Sequence, residues 1–328
     1  MKKENATNKR AVFTIVDCFE NWLNQNADAE TICLSGEFCY NDVKFISDLL
    51  SNCGRSVRVD ISELKFHHSD YEREILNGPH VTLGWELSHI DKMILNRKYG
   101  SVFKISNKMV FSDDGRVLAH VPVDCEVEIP QGIEIIGCYA VKHNQTIKNL
   151  EFPDSVRIID KCAFADCSNI ESVVMHDGIT ELGNSCFNSC NISHLRLSHG
   201  LTEIPMLAFF NSHIAELNIP PTIKRIGCSS FYYIRSSETI IIPEGVEEIA
   251  SGALEGDFPR ITLPSTLKKI AYDAFYDDYN TVFCEDFLPY VDIHPDNPVY
   301  YSENGKLYRR DTGCEALGDA GKNAKYKR

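Results

Sequence analysis

Two groups of residues in the sequence carry side chains that could do chemistry. Cys162, Cys167, Cys186 and Cys190 form two pairs spaced by five and four residues, and four thiolates converging at about 2.3 Å would hold a zinc ion. His67-His68-Ser69-Asp70 contains the residue types of a hydrolase site. The members of a catalytic triad converge from distant parts of a fold, so a contiguous run does not make one and reads as a solvated loop. The chain has no Gly-rich phosphate loop, no His-Glu-x-x-His and no Gly-x-Ser-x-Gly. An enzyme reading has no anchor, and neither a cofactor nor a metal is expected.

The elements that position these residues follow from a repeat. The segments Ile129-Pro130-Gln131-Gly132-Ile133, Phe152-Pro153-Asp154-Ser155-Val156, Met175-His176-Asp177-Gly178-Ile179, Leu197-Ser198-His199-Gly200-Leu201, Ile219-Pro220-Pro221-Thr222-Ile223, Ile242-Pro243-Glu244-Gly245-Val246 and Leu263-Pro264-Ser265-Thr266-Leu267 align at steps of 21 to 23 residues. Eleven residues past each second position stands a large apolar column: Val141, Phe164, Phe187, Phe209, Phe231, Leu254 and Phe275. Just before it runs a small-residue column: Ala140, Ala163, Cys186, Ala208, Ser230, Ala253 and Ala274. Self-similarity at such a period marks a solenoid.

Each column has a physical reason. Pairs such as Leu150/Phe152, Val173/Met175, Ile240/Ile242 and Ile261/Leu263 are two residues apart, which puts both side chains on one face of a short strand, turned into the coil. The following Pro cannot donate to a ladder, and Gly, Ser or Thr two residues later suits a tight turn. A second apolar pair follows, as in Val156/Ile159 and Ile223/Ile226. The small residue lets backbones approach, and Phe over Phe builds a continuous spine. One coil buries little; stacked coils bury one another. Cys186 falls in the small column, and Cys167 and Cys190 share another, so buried structural thiols explain them better than zinc.

The copy from Phe152 to Ile170 resembles the BspA-like leucine-rich repeats almost position for position. That resemblance implies a repeat solenoid, mainly β with short turns and 3-10 segments: a right-handed stack of 21–23-residue coils with a parallel sheet. Members come mainly from mucosal and gut microbes, bacterial or protist, often at the cell surface, and the implied role is adhesion or another protein contact.

The flanks complete a domain plan. Residues 1–28 read as an N-terminal extension, partly helical. Residues 29–101 hold a strand-helix-strand cap (Ile32 to Gly36, Asn41 to Leu50, Val57 to Ser62) and a degenerate coil whose remnants would be Leu87, Ile90 and Leu95. Residues 102–124 read as a hairpin-like insert, 125–283 as seven repeats, 284–317 as a C-terminal capping hairpin around Asn304-Gly305, and 318–328 as a disordered tail.

A net charge of -14 opposes the phosphate backbone, so nucleic acid is not an expected partner. No apolar run reaches the roughly 18 residues of a membrane span. Met1 to Val16 does not read as a signal peptide, so none is expected, and thirteen cysteines in a chain this long suit a reducing compartment. Cytoplasmic location is the expectation from the residues, and the cell surface is the expectation from the resemblance.

Two surface patterns bear on binding. After each turn come Arg157, Thr180-Glu181, Thr202-Glu203, Lys224-Arg225, Glu247-Glu248 and Lys268-Lys269; side by side in the stack, the last three alternate in sign and should fix coil register. Immediately after the spine stand Phe210, Tyr232 and Tyr276, near Tyr233. If the spine points inward, its neighbour points outward, which would expose these four as a recognition patch. The expected function is non-catalytic protein binding. The alternatives are an enzyme with its site in the first 100 residues and a structural, self-associating protein.

Overall fold

A computed structural model describes residues 19–25, 31–38, 40–52, 54, 56–66, 89–214, 217–232, 234–235, 239–275 and 289–317. The chain divides into two compact units, one of residues 1–122 with 132–140, the other of 123–131 with 141–328.

The first unit begins with α1 (Phe19–Gln25), then β1 (Thr31–Phe38), α2 (Tyr40–Ser51) and β2 (Val57–Phe66). β1 and β2 pair in parallel, which no tight turn can achieve, so α2 carries the chain back across. Helix α3 (His89–Leu95) follows. Ile90, Met93 and Ile94 are buried on it at helical spacing. Ile90 and Leu95 are therefore helical and not remnants of a coil, while Leu87 lies outside the described residues. Asn96 ends the helix: its Nδ2 donates to the carbonyls of Lys92 and Cys138 at 2.8 and 3.1 Å, and its Oδ1 accepts from the Cys138 N–H at 2.8 Å. β3 (Val102–Ser106), β4 (Met109–Ser112) and β5 (Val117–His120) continue the sheet as an antiparallel meander, and β6 (Ile135–Ile136) pairs in parallel with β5. Ile32, Leu34, Ile46, Leu50, Val59, Ile61, Phe103 and Val110 form the core of this unit.

The second unit is the stack. In chain order it contains β7 (Asn149–Glu151), β8 (Ile158–Ile159), β9 (Ser172–Val174), β10 (Glu181–Leu182), β11 (His194–Arg196), β12 (Glu203–Ile204) and β13 (Arg225–Ile226). It continues with β14 (Ile234–Arg235), β15 (Ile240–Ile241), β16 (Glu248–Ile249), β17 (Gly256–Asp257), β18 (Arg260–Leu263), β19 (Lys269–Ile270) and β20 (Tyr290–Ile293). The strand before each turn builds the first ladder, in two parallel sheets ordered β11-β9-β7 and β15-β18-β20. The two-residue strands after the turn build a second, pairing β8 with β10 and running β12-β13-β16-β19.

Around the spine the backbone makes a third ladder. The residue two before the spine has φ near 55° in coil after coil: Cys162 (54°), Ser185 (59°), Leu207 (59°), Ser229 (47°) and Gly252 (57°). That left-handed turn aims the spine N–H at the next coil: Phe164 donates to the Cys186 carbonyl, Phe187 to Ala208, Phe209 to Ser230, Phe231 to Ala253 and Leu254 to Ala274, at 2.8 to 3.0 Å. The acceptor is the small-residue column each time, which is why that column is small. The rings of Phe164, Phe187, Phe209 and Phe231 stack with centroids 5.2, 5.5 and 5.3 Å apart and planes within 3°. Phe152 meets Phe164 edge-on at 5.9 Å, and Phe258 meets Phe275 edge-on at 6.3 Å.

β21 (Tyr300–Glu303) and β22 (Lys306–Arg309) form the hairpin beyond the stack. Its turn residues Asn304 and Gly305 have φ of 51° and 79°, the pair of positive values that a two-residue hairpin turn demands. Asn297 ties it down: Nδ2 donates to the carbonyls of Pro264, Ser265 and Leu267, and Oδ1 accepts from the N–H groups of Val299 and Tyr300. One side chain thus satisfies corner groups of the last coil that no further coil would reach.

Candidate interaction surface

The chemistry-bearing cysteines are built into the stack. Cys167 and Cys190 donate their Sγ–H to the carbonyls of Val141 and Phe164, each at 3.2 Å, and Ser212 does the same to Phe187 at 2.6 Å. The column therefore supplies a weak donor to the preceding spine carbonyl. Burial pushes the thiols of Cys186 and Cys190 far up, so the thiolate that a metal or a nucleophile needs is disfavoured. Among the described residues no three His, Cys, Asp or Glu side chains are placed to hold a metal ion. His67, His68, Ser69 and Asp70 lie outside the described residues.

The aromatic column after the spine is corrected at Tyr232, which is buried at 5% exposure, and Phe210 is half-buried with its ring stacked on Tyr232 at 4.5 Å. Lys142 and Ala165, in the same column, are buried too. The inward-outward alternation assumed for this column holds in extended backbone only. The spine turn is not extended, since it is bracketed by left-handed residues such as Cys162 and Asp166. Phe210 and Tyr232 form a short second stack beside the spine. Tyr233 and Tyr276 lie outside the described residues.

What faces solvent is the outer side of each ladder. The position between the two inward residues of each coil reads Glu128, Glu151, Val174, Arg196, Asn218, Ile241 and Thr262, exposed or half-exposed throughout; all but Glu128 and Asn218 lie on strands of the first ladder. Ile241 on β15 is 65% exposed, and Tyr290 on β20, with β18 between the two strands, is 43% exposed. The Arg260 guanidinium covers the Tyr290 ring at 4.4 Å and pairs with Asp292 at 3.3 Å. The Arg260–Tyr290–Asp292 cluster escaped the sequence reading, and so did Ile241, whose signal was its place between the inward residues Ile240 and Ile242.

On the second ladder the expected charge alternation is present. Arg225 lies 3.9 Å from Glu203 and 3.8 Å from Glu248, and Lys269 pairs with Glu248 at 2.9 Å and Lys268 with Glu247 at 2.7 Å. The hydrogen bond from Lys268 holds the Glu247 carboxyl below the usual carboxylate range. At the corner between the ladders, Asp177 accepts from the His199 N–H and Glu244 from the Ser265 N–H, and both carboxyls are lowered by those bonds. No helix among the described residues is long and apolar enough to cross a membrane.

Residues 125–236 and 224–282 match the BspA type leucine rich repeat region, in six copies. Residues 125–282 of the chain are a BspA-type leucine-rich repeat region. No curated protein matches it. Among solved structures, a leucine rich cell surface protein from Faecalibacterium prausnitzii is 22% identical, over 53% of this chain and 36% of that one, with a TM-score of 0.31. The pneumococcal vaccine antigen PcpA is 16% identical, over 64% and 54%, with a TM-score of 0.37. A leucine-rich repeat protein from Bacteroides ovatus is 16% identical, over 43% and 50%, with a TM-score of 0.27. The chain therefore spans about a third to a half of the length of these proteins.

Proposed function

We propose that this BspA-type protein is a non-catalytic protein-binding module whose contact surface is the outer face of the first ladder. The observation that carries this reading is the contrast between the two sides of that ladder. Inward, every coil repeats the same apolar pair; outward, Glu128, Glu151, Val174, Arg196, Asn218, Ile241 and Thr262 present six residue types in seven coils. A face whose side chains vary along the stack while the inward pair stays constant suits recognition of an extended protein surface. Ile241 and the Arg260-covered Tyr290 supply the apolar and cationic anchors that carry binding energy in such contacts.

The test is crosslinking capture of partners from host and self extracts, followed by titration of the identified protein. Ile241→Asp should weaken affinity by about tenfold or more while the thermal midpoint stays in place, because Ile241 is 65% exposed. An unchanged affinity for that partner would remove this face from the proposal.

A further inference from the structure

The second ladder presents a different face, and its chemistry fits a second copy of this chain. Along the stack its outward strand residues are Glu203, Arg225, Glu248 and Lys269, on β12, β13, β16 and β19, with registers Glu203↔Arg225, Arg225↔Glu248 and Glu248↔Lys269. A row of four alternating charges becomes its own complement when read backwards. Two such rows placed face to face with their stacks antiparallel bring Glu203 against Lys269 of the other copy and Arg225 against Glu248, each contact occurring twice.

A second observation selects the same register. Three residues further along each coil stand Met206, Cys228, Ser251 and Tyr272. Met206 and Tyr272 are two of the large apolar side chains left exposed, at 44% and 37%. The two-fold axis that pairs the charges lies in the contact plane between the coils of Arg225 and Glu248. It preserves the column and reverses the coil order, so it sets Met206 against Tyr272 of the other copy. Between the charge row and this pair run Pro205, Gly227, Ala250 and Ala271, short enough to let two faces approach. Shifting the axis by one coil toward the N-terminus sets Glu181 against Glu248, a like-charge pair. Charge and apolar columns agree on one register.

We infer that this face is an antiparallel, two-fold self-association surface centred between Arg225 and Glu248. An isologous contact of this kind is the ordinary route to a closed dimer. Four coils at the strand spacing of roughly 4.8 Å make a patch about 20 Å long, small enough to place the dimer among weak, transient interfaces. Because the pairs are exposed, association should weaken as salt screens them. The inference does not depend on the binding face assigned above, which lies on the other ladder.

The experiment is sedimentation velocity on the full chain across a concentration series, at low and high ionic strength. A monomer–dimer equilibrium that salt shifts toward monomer is expected. Arg225→Glu sets Glu against Glu248 twice, and Glu248→Arg sets Arg against Arg225 twice, so each alone should weaken self-association by at least about tenfold. Mixed in equal amounts, the two variants should recover a dimer, because each now complements the other. Far-ultraviolet circular dichroism on both variants guards against loss of fold, and Arg225→Lys should dimerise like the parent. A chain that stays monomeric up to its highest soluble concentration would overturn the inference. So would a dimer indifferent to both reversals, or a mixture that remains monomeric.

Discussion

Phe231→Ala is expected to cost about 3–5 kcal/mol of stability, the range for truncating a fully buried aromatic. The ring is inaccessible to solvent and stacks on Phe209 at 5.3 Å. Coils contact their neighbours alone, so a void in one of them removes contacts from the coils on both sides. That loss is a large share of the roughly 5–15 kcal/mol that ordinary domains possess. Urea titration by circular dichroism should show the midpoint falling steeply. Phe231→Leu keeps most of the volume and should lose much less. A midpoint unmoved by Phe231→Ala would mean that the ring is not part of a spine.

Gly183→Ala is expected to destabilise by about 3 kcal/mol, at the upper end of overpacking costs. A Cβ at Gly183 would sit 2.2 Å from the Lys161 nitrogen and 2.5 Å from the Asp160 carbonyl carbon. Both are backbone atoms of the preceding coil, which cannot swing aside as a side chain would. The same column holds Ala250 and Ala271, which donate to the preceding coil as Gly183 does; at Gly183 itself a methyl group would have to push the two coils apart. Thermal denaturation of Gly183→Ala beside Ala250→Gly would separate a local clash from a general sensitivity of the column; equal, small effects would contradict the account.

Most of the stack was legible because its constraints are side-chain constraints. An inward strand pair, a small residue where backbones touch and an aromatic over each aromatic leave residue types at fixed spacing, and Phe164, Phe187, Phe209 and Phe231 are all fully buried. The alternating charges were legible for the same reason, since strand register makes sequence neighbours one coil apart into spatial neighbours. The backbone was not legible. Left-handed φ at Cys162, Ser185, Leu207 and Ser229 leaves no mark when the residue is not glycine, and without those turns Tyr232 looks outward when it is buried. The two-residue strands of the second ladder are too short to show a period of two. Helix α3 was hidden because seven residues of helical spacing next to an atypical segment also fit a decayed coil.

Amide hydrogen exchange resolved to single residues tests the central claim, that the coils are joined through the turns around the spine as firmly as through their strands. The N–H groups of Phe164, Phe187, Phe209 and Phe231 should exchange as slowly as those of the inward strand residues Val173 and Ile261, since each is donated to the next coil at 2.8 to 3.0 Å. Exchange at those four positions as fast as at the exposed corner residues would contradict it.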